Sequence, residues 1–182
     1  MPLEIKIKEN ELWDENREEF IQVRGQTIHI EHSLYAIAKW ESKTKKPFLS
    51  EENLQGALLL EYIQCMTLEE GVDRDSYKGI SEYDIERIRQ YMNDSMTATW
   101  FKQDPAKSKR PGKVITAEII YYYMVELGIP FECEHWHFNR LMTLINVCAE
   151  KQQPPKKMAK KDVLSQYANL NAARRARLKS KG

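Results

Sequence analysis

Apolar and polar positions alternate at the start of the chain. Leu3, Ile5 and Ile7 are separated by Glu4 and Lys6, the period of two that marks a half-buried strand. The run EEFIQVRGQTIHIEH holds two further β-prone stretches that meet at Gly25-Gln26. The pattern predicts a hairpin turning there, with Ile28 and Ile30 on one face. After Ser33 the period lengthens. Leu34, Ile37, Ala38 and Trp40 to Glu41 predict a short helix, limited by Pro47. Ser50 is placed to cap a second helix through Leu54, Leu58, Tyr62 and Cys65, with Gly71 beyond its end. Ser81-Glu82-Tyr83-Asp84 resembles a capping box and predicts a third helix with Ile85, Ile88 and Met92 inward.

The region 94–112 carries no helical period, and Asp104 to Gly112 predicts an exposed loop. Thr116 is placed to cap a fourth helix whose inward stripe is Ile119, Ile120, Tyr123, Met124 and Leu127. A Gly128-Ile129-Pro130 corner follows. A fifth helix is predicted from about Glu134 to Gln152, with Phe138, Leu141, Met142, Ile145 and Ala149 on one face, stopped by Pro154-Pro155. A sixth, from about Lys160 to Leu178, offers only Val163, Leu164, Tyr167, Leu170 and Leu178 as apolar surface, so it depends on a contact for stability. The fold class expected is α+β and predominantly α-helical. One globular domain spans 1–155, with β elements in 1–32 and a helical body over 33–155. A basic helical arm occupies 156–182.

Charge sharpens that division. The formal net charge is +1, but 156–182 carries nine Lys and Arg against Asp162 alone, 9 − 1 = +8, which leaves 19 − 26 = −7 for the rest. A basic arm on an acidic body can fold back, dock on an acidic partner or touch nucleic acid. Nucleic acid is the disfavoured choice, since the arm offers Tyr167 as its single aromatic ring and the body repels phosphate. No stretch has the run of about 18 apolar residues that a membrane helix needs, and the N-terminus is too polar for a signal peptide. Cys65, Cys133 and Cys148 sit in apolar helical patterns and read as buried free thiols of a cytoplasmic protein.

Candidate chemistry is sparse. Glu132 to His137 is the one cluster with metal-ligand residue types, but His135 and His137 are two apart and point to different sides of a helix. The alternative reading puts Glu132 and Glu134 at the positive end of a helix, with Trp136 packed and the histidines at the edge of the core. His29 and His32 lack a third ligand nearby and read as exposed or partly buried. The chain has no nucleophile elbow, phosphate loop or Rossmann fingerprint. No catalytic, cofactor or metal residues are therefore assigned. What stands out is surplus aromatic surface. Tyr121, Tyr122 and Tyr123 span too wide an arc of a helix to share one core face. Tyr123 fits the inward stripe, so Tyr121 or Tyr122 must meet another element or a partner. Trp100 and Phe101 carry the same ambiguity.

Glu31 to Leu49, Met96 to Trp100, Val114 to Met158 and Asn171 to Arg175 together resemble, in the same order, the siphophage tail assembly chaperones. The Ile129-Pro130-Phe131-Glu132-Cys133 corner, the His137-to-Ile145 helix and the Gln153-Pro154-Pro155-Lys156-Lys157-Met158 stop are the specific parts. The resemblance implies a small, non-enzymatic protein of the host cytoplasm that coats the tape measure protein and helps recruit tail tube protein. It also implies a possible frameshifted longer form or homo-oligomer, and absence from the mature virion. The alternative is a structural phage protein such as a neck or head–tail connector component. The family supplies no motif for placing the contact, so the candidates are those read from the residues: Trp100, Phe101, Tyr121 and Tyr122 on the body, and Tyr167, Leu170, Arg174, Arg175 and Arg177 on the arm.

Overall fold

The computed structural model describes residues 2–15, 17–50, 54–99, 101, 114–152 and 160–178. The protein is α+β and mostly helical. Four short strands, β1 (Leu3–Ile7), β2 (Asn10–Asp14), β3 (Glu19–Val23) and β4 (Gln26–Ile30), precede the helices α1 (Leu34–Thr44), α2 (Gly56–Met66), α3 (Glu82–Asn93), α4 (Ala117–Leu127), α5 (Phe138–Gln152) and α6 (Lys160–Leu178). Single 3-10 segments lie at Phe48–Ser50, Arg74–Gly79 and Phe131–His135. The predicted loop at 104–112 and the Pro154-Pro155 stop lie outside the described residues. The chain forms two compact units, Met1–Cys148 and Ala149–Gly182.

The strand pairing corrects the expected hairpin. β3 and β4 do not pair with each other: β2 pairs with β3, and β1 with β4, both antiparallel. The two ladders share one register. Ile7 faces Gln26, Asn10 faces Val23, and the ladder skips two residues on each side. The four strands are thus one long hairpin, interrupted in the middle and turning after Asp14. Gly25 lies at this interruption rather than in a turn between β3 and β4. A Cβ there would stand 3.0 Å from the backbone nitrogen of Glu9, which crosses beside it. The inner face is Ile5, Ile7, Val23, Ile28 and Ile30, all buried. Lys78 ties the far end down, with its ammonium 2.6 Å from the buried Asp14 carboxylate and 3.0 Å from Asp75.

Helices α1 to α5 contribute buried residues to one core with this face, α3 lying against β1 and α1 against α2 and α4. Ser33 caps α1 by accepting from the Ala36 N–H, and Ser81 caps α3 by accepting from the Asp84 N–H. Ile88 is inward as expected, together with Tyr91, whereas Ile85 and Met92 are half-buried. Ser50 does not cap α2. It closes the 3-10 turn, where Phe48 is drawn onto the Tyr62 ring, centroids 4.3 Å apart, before the helix begins. α5 starts at Phe138, not near Glu134, so Glu132 and Glu134 sit in the preceding 3-10 turn and its first turn holds no acid. Phe138, Leu141 and Ile145 are its buried face. Cys65 and Cys133 are buried, but Cys148 is only half-buried. Among the described residues no helix is long and apolar enough to cross a membrane.

Candidate partner-binding surface

The surface is built around α4, which a buried carboxylate fixes in place. Thr116 precedes the helix, but its side chain makes no capping hydrogen bond. Glu41 of α1 does that work from across the fold. Its Oε2 accepts the Ala117 N–H at 2.8 Å while Oε1 accepts the Phe48 N–H at 2.8 Å. A carboxylate at a helix N-terminus satisfies an orphan donor and complements the positive end of the macrodipole. Ala117, Ile120 and Met124 then turn inward. At the other end Gly128 adopts φ +66, its N–H donating to the Val125 carbonyl, and the Ile129 N–H returns to Met124 at 2.8 Å. This left-handed cap turns the chain so that Ile129 is buried and Phe131 is exposed.

The three tyrosines divide in a way the helical period alone does not settle. Tyr123 does not join the inward stripe. It is exposed, while Tyr121 is half-buried. Both flank the stripe, and the neighbours decide. The Tyr121 hydroxyl donates to Glu134 at 2.6 Å, and its ring lies 6.3 Å from Phe131. Burial, then the Glu134 carboxylate, holds the Tyr121 phenol well above its ordinary value. Tyr122 points outward at 59% exposure, with Val125 at 63%. Glu118, Tyr122, Val125 and Glu126 are spaced i, i+4, i+7 and i+8, so they form one outward stripe, and all four are exposed. The Glu126 carboxylate raises the Tyr122 phenol above its usual value. From Val114 to Asn139 the chain holds Glu118, Glu126, Glu132 and Glu134 and neither Lys nor Arg. The stripe is therefore both apolar and acidic.

Helix α6 belongs to the second compact unit. Tyr167 is 62% exposed and Leu170 57%, and Arg174, Arg175 and Arg177 are exposed as well. Tyr167, Leu170, Arg174 and Arg177 fall at i, i+3, i+7 and i+10, one apolar-to-basic stripe. Of the remaining candidates, Phe101 is half-buried and Trp100 lies outside the described residues. Sequence reasoning missed a further exposed pair. Trp13 and Phe20 face each other across β2 and β3, ring centroids 5.0 Å apart and both exposed. The signal was an aromatic in each of two runs now known to pair, but it needed the register.

The core also holds a buried polar cluster. His32 is buried, contrary to the expected exposed or partly exposed position. Its Nδ1 is 2.5 Å from the Tyr62 hydroxyl, and its ring is 5.2 Å from that of His137. The His137 Nε2 lies 3.0 Å from the Tyr91 carbonyl, and the Tyr91 hydroxyl donates to Glu31 at 2.6 Å. Burial, with His137 alongside, lowers His32 to about 3, and burial lowers His137 as well. Both rings are neutral packing groups. The partner of His137 in the sequence, His135, is exposed against the Tyr35 ring, so the two do not converge. Among the described residues no group of three or more His, Cys, Asp or Glu is placed to hold a metal ion.

No family model, curated protein or solved structure matches the chain.

Proposed function

We propose that this protein is a tail assembly chaperone of a siphophage, working without catalysis in the host cytoplasm. It binds the tape measure protein and assists recruitment of tail tube protein, then leaves before the virion is complete. The reading rests on the resemblance of the sequence segments. The observation that carries it furthest is the exposed Tyr122–Val125 stripe on a helix whose other faces are apolar. A helix hydrophobic on most sides is normally covered, and an exposed apolar face marks a contact surface. The exposed arm stripe of Tyr167, Leu170 and the arginines adds a second, basic contact of the kind an amphipathic helix uses in recognition.

The test is a pull-down of co-expressed tape measure protein by the full chain and by a chain ending at Gln152, across a salt series. Recovery by the full chain should fall as salt rises, because exposed ion pairs are worth only about 0–1 kcal/mol each and are screened. The shorter chain should recover less at low salt. Equal recovery by both at every salt concentration overturns the role of the arm, and no recovery by either overturns the client. Mass spectrometry of purified virions separates this reading from a neck or connector protein, which would persist in the particle.

A further inference from the structure

The far end of the hairpin carries a face that the fold leaves uncovered. Side chains alternate along β2 and β3, and the register sets Glu11 opposite Gln22 and Trp13 opposite Phe20. These four are exposed, whereas Leu12 is half-buried and Asp14 buried on the other side of the ribbon. Trp13 is 53% exposed and Phe20 64%. Glu11 lies about 7 Å along the strand from Trp13, two residues of strand rise. Glu15 and Glu18 lie beyond the pair in the turn, both exposed, so acid flanks the rings in both strand directions. The cations at this end serve the inward side. Arg17 and Lys78 are both engaged by the inward-turned Asp14 and by Asp75. Among the described residues, Glu11, Glu15 and Glu18 form no salt bridge. The inward side is also closely seated, since a Cβ on Gly79 would stand 2.5 Å from the Val23 side chain. The outward face therefore rests on a fixed base.

A cross-strand aromatic pair steadies a hairpin wherever it stands. It needs no acid on either side for that, and like charges gathered at one end of a ribbon repel each other. Two large rings half in water, between acids that no cation of the body balances, have the make-up of an interface centre. We propose that this face is a docking site for an amphipathic helix of a partner protein, one that carries an apolar residue with Lys or Arg one turn before and one turn after it. Cations four residues to either side of that residue stand about 6 Å from it along the helix axis, which matches the step of about 7 Å from Trp13 to Glu11. Covering Trp13 and Phe20 supplies the affinity. The cations meet Glu11 on one side and Glu15 and Glu18 on the other, and so set the register and exclude acidic helices. The inference does not rest on the client named above and uses no residue of α4 or of the arm.

The experiment titrates the full chain with an alanine-based helical peptide that carries one leucine with lysines four residues before and after it. Nuclear magnetic resonance follows the indole N–H signals, with Trp13 assigned from a Trp13→Tyr variant. The Trp13 signal should move and saturate, and the affinity should fall as salt rises. A peptide with glutamates in place of the lysines should leave the signal where it is. Glu11→Lys, Glu15→Lys and Glu18→Lys together should weaken binding of the lysine peptide by about tenfold or more, through the loss of several ion pairs, and should admit the glutamate peptide. Circular dichroism checks that this variant is folded. If it is not, Gln at the same three positions replaces it, with the lysine peptide weakened and the glutamate peptide still excluded. A Trp13 signal that stays fixed overturns the proposal, as does one that moves equally with both peptides. A folded charge variant that binds the lysine peptide like the parent overturns it as well. So do shifts confined to α4, which would mean that the peptide is drawn to acid elsewhere.

Discussion

His32 and His137 are kept neutral in the folded protein by burial, and neither is close to an acid that would stabilise the protonated ring more than burial opposes it. In the unfolded chain both titrate near the ordinary histidine value of about 6.5. The unfolded state thus binds more protons below that pH, and stability falls as pH falls. The loss begins near pH 6.5 and continues toward about 3, where folded His32 itself takes a proton. Its slope approaches about 1.4 kcal/mol per pH unit for one histidine. Urea unfolding at pH 7.5, 6 and 5 should show midpoints moving down together with pH, and His32→Gln should flatten the dependence. Glu41 makes a second residue-scale prediction. Glu41→Ala leaves the Phe48 and Ala117 N–H groups without their acceptor, at a cost on the order of 3 kcal/mol. Denaturant unfolding at neutral pH measures it, and a loss below about 0.5 kcal/mol would mean that other acceptors take over.

At the scale of elements, the corner after α4 depends on one conformation. Gly128 sits at φ +66 with open space where a Cβ would be, so any cost of substitution is conformational and not a clash. Gly128→Ala should destabilise by about 1 kcal/mol, and Gly128→Asn by less, because asparagine tolerates the left-handed region better. Thermal melting of the pair of variants checks the order, and an alanine variant as stable as the parent would show that the corner relaxes. The helix α3 was legible from its capping residue and apolar spacing, and α1, α4 and α6 from spacing and composition, because those signals are local. The start of α5 was not. Glu134 to His137 has helical composition, yet Ser33 forms a bridge to His137 and the Phe138 N–H donates to the His32 carbonyl at 2.6 Å. Those contacts with a distant segment hold Trp136 and His137 extended after the 3-10 turn, so the helix begins at Phe138.

For the whole molecule, the described side chains of α6 are all exposed. A chain ending at Gln152 should therefore melt within about 2 °C of the full chain, as surface changes shift stability little. Calorimetry of both chains measures this, and a clearly lower melting point would mean that the arm helps hold the body together. The candidate surface was only partly legible. Tyr122 and the arm residues stand exposed as candidates for contact. Tyr121, by contrast, is engaged by Glu134 and Phe131, and the Trp13–Phe20 pair was not anticipated. A tyrosine at the border of a helical stripe has two equal prospects until the neighbouring element is known.

The sequence by itself determined the α+β class, the period and approximate place of most elements, and the split between acidic body and basic arm. Each follows from composition and from spacing within a few residues, where side-chain direction is set by the backbone repeat. Tertiary structure alone decided that the strands fold as one long interrupted hairpin, with β2 paired to β3 and β1 to β4. It also decided that Glu41 caps a helix 76 residues away. It buried His32 between Tyr62 and His137, and left the Glu118–Glu126 stripe facing outward. These outcomes rest on contacts between segments far apart in the chain, whose energies depend on which groups meet and which remain in water, and no local pattern encodes that pairing.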